Sequence, residues 1–221
     1  MGDCDIRAFE SSASADPAVR GFLHLPASPS GDGIVLTHGA GANCSSPLLV
    51  ALARAFCESG LTVLRCDLPF RQARPQGPPP RGSAERDREG LRVAVEAIRK
   101  EISGRIFLGG HSYGGRQATL LAPSEPALVA GLLLLSYPLH PPKRPAELRT
   151  THFPNLRTPA LFVHGSRDGF ATIEEMTSAL SLIPARTHLL PVIGAGHELA
   201  AKGKADTLAA TVVQEFQRFF S

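Results

Sequence analysis

A mainly parallel β-sheet covered by helices on both faces is the fold this sequence predicts, and three observations predict it. Short, nearly all-apolar runs recur along the chain and alternate with segments of helical spacing, the pattern of βαβ units whose strands are buried on both sides. The segment Leu108-Gly109-Gly110-His111-Ser112-Tyr113-Gly114-Gly115 closes one such run with a serine between two glycines, the G-x-S-x-G pattern of a sharp strand-to-helix turn. The length of 221 residues suits one such domain, 1–221, which should bury roughly 70% or more of the surface its unfolded chain exposes.

Each element follows from its own residues. Asp5 to Glu10 and Gly21 to Leu25 read as early strands, a hairpin across the Ser/Ala/Asp-rich turn Ser11 to Pro17. Ile34 to Thr37 is an apolar strand that runs into His38-Gly39-Ala40-Gly41-Ala42. Pro47 to Ser59 keeps Leu48, Leu49, Leu52, Ala53 and Phe56 at helical spacing, and Gly60 stops it. Thr62 to Cys66 is the next strand. Ser83 caps a long helix to about Ile102, with Leu91, Val95 and Ile98 as its inward stripe and its arginines and glutamates in water. Arg105 to Leu108 reads as a short buried strand, and Gly115 to Ala122 as a helix carrying Ala118, Leu120 and Leu121. Leu132 to Leu135 and Ala160 to Gly165 are further strands. Thr172 caps a helix with Ile173, Met176, Leu180 and Ile183, Thr187 to Val192 is the last strand, and Asp206 opens a final helix to Phe220.

Composition narrows the function classes. A net charge of +3 with acids and bases interspersed leaves no broad basic face, so neither nucleic acid nor an anionic membrane is an expected partner. Cys4, Cys44, Cys57 and Cys66 form no C-x-x-C pair and no metal spacing with histidine, so reduced thiols and no bound metal are expected. The start Met1-Gly2-Asp3-Cys4-Asp5 is acidic, and no apolar stretch reaches the length of a signal-sequence core or a membrane span. A cytoplasmic location is the corresponding expectation.

The chemistry gathers at strand ends. Glycines flank Ser112 because a strained elbow leaves no room for side chains at those positions. A serine hydroxyl is a weak nucleophile and needs a base, and the base needs a third group to hold it. Asp168 follows the strand Ala160 to Gly165, and His197 follows Thr187 to Val192 on the small-residue loop Gly194-Ala195-Gly196. Both stand at C-terminal strand edges, where open parallel sheets collect their reacting groups. The strand before offers no rival acid, since the first carboxylate after Leu135 is Glu147, and Asp67 precedes the serine and is expected to bond within the Leu68-Pro69-Phe70 loop. The N–H groups of Tyr113 and Ala40 are the candidate oxyanion hole.

In these residues the chain resembles the α/β-hydrolases. His38-Gly39-Ala40-Gly41, Gly110-His111-Ser112-Tyr113-Gly114-Gly115, His164-Gly165-Ser166-Arg167-Asp168 and Gly196-His197 stand in that family's order, over nearly the whole chain. The resemblance implies a Ser112 nucleophile, a His197 base and an Asp168 acid. Ser136-Tyr137-Pro138-Leu139-His140-Pro141-Pro142 and the stretch from Ala195-Gly196-His197 to Lys202-Gly203 are similar to a branch that includes the mammalian testis-expressed and NSL-complex hydrolase-like proteins, a branch that brings no established substrate.

Two loops bear on the substrate. The 23 residues from Tyr137 to Pro159 hold six prolines, too few residues for a helical lid, so a minimal or absent cap and an open site are expected. The Phe70 to Arg81 loop brings Arg71, Arg74 and Arg81 near a strand edge, where they attract an anionic acyl group or simply remain solvated. Gly41, Tyr137 and Arg71 are the candidate substrate contacts, with a packed loop tyrosine as the other reading of Tyr137. His38 and His164 read as satisfied structural histidines, and His111 as pointing away from the serine. The expected activity is hydrolysis of carboxylic esters or thioesters through an acyl-enzyme on Ser112, without cofactor. An acyltransferase with the same triad, or a non-catalytic binding or scaffold protein, shares these residues.

Overall fold

Alternation along the apolar runs decides which side of the sheet each side chain reaches. In the computed structural model, which describes residues 4–11, 15–201 and 203–221, eight strands form one sheet. The Met1-Gly2-Asp3 start, part of the turn at Ser11 to Pro17, and Lys202 lie outside the described residues. The strands are β1 (Cys4–Glu10), β2 (Arg20–Pro26), β3 (Gly33–Thr37), β4 (Thr62–Asp67), β5 (Ile106–His111), β6 (Gly131–Leu135), β7 (Ala160–Gly165) and β8 (Thr187–Val192). Their order across the sheet is β1-β2-β4-β3-β5-β6-β7-β8. The first two pairings are antiparallel and all the others parallel.

Helices cover both faces. Val35, Leu64, Leu108, Leu132, Leu134 and Phe162 point to one side, against α3 (Ala84–Arg99), α4 (Tyr113–Leu121) and α5 (Ile173–Leu180). Their neighbours Ile34, Leu36, Val63, Phe107, Leu133 and Leu161 point to the other, against α1 (Pro47–Glu58) and α6 (Ala205–Phe220). Period-2 alternation with both sides apolar is why these strands read as continuous hydrophobic runs. Each such side chain, fully buried, contributes about 1.5–3 kcal/mol.

Strand order also positions the site. The chain winds outward from β3 through β4 in one direction and from β5 to β8 in the other, so the crossover between β3 and β5 opens a crevice at their C-terminal ends. His38 to Ala42 and Ser112 emerge on either side of it.

Several expectations are corrected. Cys4 and Cys57 are joined by a disulfide that ties β1 to α1, so only Cys44 and Cys66, both buried, are the reduced thiols expected of all four. Spacing showed no C-x-x-C motif, and a bond across 53 residues leaves no local signature. The loop from Phe70 to Arg81 begins with a short helix, α2 (Pro69–Ala73), opened by Pro69 in its first turn. Ser83 precedes α3 without capping a backbone amide: its backbone is already helical, at φ −73° and ψ −16°, and its hydroxyl donates to Asp87 Oδ2 at 3.2 Å. The helix ends at Arg99 rather than near Ile102, and α5 stops at Leu180, short of Ile183. Thr172 does cap α5, in a full capping box with Glu175. β5 continues through His111 and α4 starts at Tyr113, so Ser112 alone forms the turn.

Two histidines held neutral by their surroundings are expected to make the fold acid-sensitive. His24 accepts a hydrogen bond from Arg65 Nε at 2.9 Å, which requires a neutral imidazole. Burial, then the charges of Arg65 and Arg54, pushes its pKa down to about 4. Burial, then Arg116, pushes His152 down to about 4 as well. Between their ordinary value of 6.5 and about 4 the unfolded chain binds more protons than the folded one, so stability present above pH 6.5 is lost as pH falls through that window. Each site is expected to remove about 1.4 kcal/mol per pH unit there. Urea midpoints measured from pH 7 to pH 5 should fall, and His24→Gln should flatten the slope; an unchanged slope would remove His24 from this role.

Candidate active site

The elbow is built by what its glycines lack. Ser112 has φ 49° and ψ −109°, a conformation that costs about 1–3 kcal/mol and survives only when its surroundings impose it. Its N–H donates to Leu135 O at 2.8 Å, which ties the turn to β6. A Cβ on Gly110 would lie 2.4 Å from the Gly115 nitrogen, and one on Gly114 would lie 2.7 Å from His38 O. Helix α4 can therefore lie against β5 and β3 only with glycine at both places.

Three distant segments meet at Ser112. His197 Nε2 is 2.8 Å from Ser112 Oγ, and His197 Nδ1 is 2.9 Å from Asp168 Oδ2 and 3.1 Å from Oδ1. A carboxylate only accepts, so Nδ1 carries the proton and Nε2 presents its lone pair to the serine hydroxyl. Burial would raise the Asp168 carboxyl, but the hydrogen bonds from His197 and the Phe170 N–H outweigh it, helped by His197 and His164, and hold it below its ordinary value. Phe170 stacks on the His197 ring, with centroids 4.1 Å apart. His111 Nε2–H donates to His197 O at 2.9 Å, so the histidine beside Ser112 holds the backbone of His197. Sequence reasoning missed this role; nothing local in the sequence signals a contact across 86 residues.

A second network holds the Gly39 to Ala42 loop. His38 Nδ1–H donates to Gly39 O at 2.8 Å while Nε2 accepts the Leu68 N–H at 3.1 Å. The Gly39 carbonyl and the Ala40 N–H belong to one trans peptide and point oppositely, so His38 aims the Ala40 N–H. Asp67 Oδ1 accepts the Cys44 N–H at 2.7 Å, binding this loop rather than the Leu68-Pro69-Phe70 turn expected for it. On the other side, the fully buried Asp87 accepts the Phe70 N–H at 2.9 Å and the Tyr113 hydroxyl at 2.7 Å. The Tyr113 N–H opens α4, where first-turn amides lack helical partners, and among the described residues no acceptor is paired with it or with the Ala40 N–H.

Of the three candidate substrate contacts, Arg71 and Tyr137 are packed away from the crevice. Arg71 is 4% exposed, and its guanidinium donates to the carbonyls of Ala40, Ala42, Arg74 and Gly77, so its charge is spent on bracing the loop. Tyr137 is completely buried, and its hydroxyl donates to Arg149 O at 2.7 Å. Gly41 is exposed in its loop and does not line the cavity at Ser112. Because Arg71 grips Ala40 and Ala42, Arg71→Met is expected to lower kcat about 100-fold with little change in KM, the scale of losing one oxyanion donor. Steady-state kinetics on an activated ester checks this, and a change in KM alone would contradict it.

The cavity beside Ser112 has a volume of about 400 Å³ and is shared by Ala40, Tyr113, Pro79, Pro138 and Phe170, with Arg116 and Arg149. The Pro-rich loop thus reaches the site through its prolines, whereas Arg74 and Arg81 are exposed to solvent. Between Tyr137 and Pro159 the one helical element is the 3-10 turn Phe153–Asn155, so among the described residues no helical cap covers the crevice. A larger depression of about 590 Å³ lies between β8 and α6 and contains none of Ser112, Asp168 or His197. Among the described residues no three His, Cys, Asp or Glu side chains are grouped to hold a metal, and no helix is long and apolar enough to cross a membrane.

The family described as alpha/beta hydrolase domain matches residues 31–221. The chain belongs to this alpha/beta hydrolase family. Solved structures share the fold. This alpha/beta hydrolase is similar to a dienelactone hydrolase from Anabaena variabilis at 21% identity and a TM-score of 0.75, with 98% of each chain covered. It is similar to a serine hydrolase without a lid from Xanthomonas campestris at 16% identity and a TM-score of 0.76, over 97% of this chain and 94% of that one. An esterase from Pyrococcus furiosus matches at 16% identity and a TM-score of 0.75, over 98% and 92%.

Proposed function

We propose that this alpha/beta hydrolase is a serine hydrolase of carboxylic esters or thioesters, working through an acyl-enzyme on Ser112. The observation that carries the reading is the aligned chain of contacts from Ser112 Oγ to His197 Nε2 at 2.8 Å and from His197 Nδ1 to Asp168 at 2.9 Å. Ser112 Oγ attacks the carbonyl carbon as its proton passes to His197 Nε2, and the carbonyl oxygen becomes an oxyanion that accepts from the Ala40 and Tyr113 N–H groups. The C–O or C–S bond then breaks, and the leaving oxygen or sulfur takes the proton from His197. Water repeats the sequence in reverse order to free the acid and restore Ser112. Asp168 keeps the proton on Nδ1 and faces the imidazolium that forms. No step requires a metal or organic cofactor, and the only partner it requires is a small-molecule substrate.

The segments Ser136 to Pro142 and Ala195 to Gly203 support placing the chain in the branch with the testis-expressed and NSL-complex hydrolase-like proteins. Its sequence favours a cytoplasmic location, whereas the Cys4–Cys57 bond favours an oxidising compartment. Alkylation of freshly lysed cells separates these, since the bonded chain leaves Cys44 and Cys66 as its free thiols and the reduced chain offers all four cysteines.

Intact mass after incubation with a fluorophosphonate tests the central reading. Wild type should gain one adduct while Ser112→Ala and His197→Ala gain none, because an unactivated serine reacts slowly. A folded wild type that takes no label would instead support a binding or scaffold protein, and label without release of free acid would support an acyltransferase.

A further inference from the structure

Resting on Ser112 as the nucleophile, we propose that the cavity beside it binds a carboxylate on the acyl group, so that the substrates are esters or thioesters of short dicarboxylic acids. Two guanidinium side chains, Arg116 and Arg149, line this cavity together with Ser112, Tyr113 and Ala40. Neither is in an ion pair among the described residues. Arg116 Nε is shut off from solvent and has no hydrogen-bond partner. Arg149 donates to Pro138 O at 3.2 Å, and its pKa is pulled down first by burial and then by the positive charge of Arg116. Two like charges that line one cavity repel, and an anion between them relieves the repulsion.

The neighbouring carboxylates are already engaged. Asp87 receives the Phe70 N–H and the Tyr113 and Ser83 hydroxyls, and Glu147 pairs with Arg144 at 3.4 Å. The backbone that carries Arg149 is also held in place. Buried Tyr137 donates to Arg149 O at 2.7 Å, and the Arg149 N–H donates to Leu139 O at 2.8 Å, so the one loop tyrosine anchors the arginine. Arg116 lies in the opening turn of α4, four residues after Ser112, and both line the one cavity, so a short acyl chain attached at Ser112 extends into the space Arg116 borders. Planar guanidinium forks match a carboxylate in two parallel hydrogen bonds. The acyl side is favoured over the leaving-group side because His197, which must protonate the leaving atom, does not line this cavity.

The test compares kcat/KM for 4-nitrophenyl hemiglutarate with 4-nitrophenyl valerate, and adds 4-carboxyphenyl acetate, whose anion sits in the leaving group. Wild type should prefer the hemiglutarate over the valerate by about 10- to 100-fold, the range for hydrogen bonds to a charged group. The ratio should fall toward one in Arg116→Leu and in Arg149→Met, and should fall only in part in Arg116→Lys, with fluorophosphonate labelling reporting that each variant is folded. Equal or faster use of the valerate by wild type, or a ratio unmoved in both variants, overturns the inference and leaves the serine hydrolase reading standing. A preference for 4-carboxyphenyl acetate alone overturns the acyl assignment. If wild type takes the label yet releases no acid, protection of Ser112 from the label by glutarate and not by valeramide supports the inference, and equal protection overturns it. No label at all removes the nucleophile on which it rests.

Discussion

Ser112→Ala is expected to lower kcat on an activated ester by about a million-fold, the scale found when a triad nucleophile is lost as part of a unit. The geometry explains the size. Ser112 is held at φ 49° by glycines that admit no Cβ, its hydroxyl is 2.8 Å from His197 Nε2, and no other serine occupies that turn. Without Oγ, His197 can still activate a water and the N–H groups of Ala40 and Tyr113 can still receive the oxyanion, so a residue of catalysis about a thousand-fold above water should persist. Binding should survive as well, and KM should stay within a few-fold. Pre-steady-state kinetics reads the outcome: wild type should show a burst of one leaving group per site and the variant none. A loss smaller than about ten-fold in folded protein would mean that Ser112 is not the attacking group.

Asp168→Asn should lower kcat about ten thousand-fold with little effect on KM. Asp168 Oδ1 accepts the Phe170 N–H at 2.9 Å, and that contact would orient the substituted amide. Its oxygen would stay on the Phe170 N–H, which turns the NH₂ toward His197 Nδ1. A donor there favours the imidazole tautomer with its proton on Nε2, and that tautomer cannot take the proton from Ser112. The loss is therefore one of tautomer rather than of position, and thermal stability should change far less than rate. Activity of the variant within ten-fold of wild type would show that another group orients His197. His164, whose Nε2 is 3.7 Å from Asp168 Oδ2 and donates to Ala171 O at 3.0 Å, is the neighbouring group to change next.

Much of the candidate site could be read from local pattern. The elbow glycines at 110 and 114 announce a turn whose sterics are set within a few residues, and the strand ends before Asp168 and His197 follow from short apolar runs with small-residue stops. The hydrophobic stripe of α3 and the capping box at Thr172 are equally local. Ser83 shows the limit of such rules, because tertiary packing continues the helical backbone through it and turns its hydroxyl to the buried carboxylate of Asp87. Arg71 and Tyr137 show it again. Both stand beside the active edge in sequence, yet packing turns one into the brace of the Ala40 loop and the other into the anchor of Arg149.

By itself the sequence determined the alternating strands and helices, the strained serine turn and the order of serine, acid and histidine, because each depends on sterics and periodicity within a few residues. Only the tertiary structure decided that Ser112 and His197, 85 residues apart, approach to 2.8 Å, that His38 aims the Ala40 amide and that His111 holds the His197 backbone. It alone decided that Cys4 meets Cys57 and that Arg116 and Arg149 share one cavity. The physical reason is that these contacts depend on strand order, register and the path of intervening loops summed over the whole sheet, whereas local sequence constrains each backbone segment without specifying which distant segment it will face.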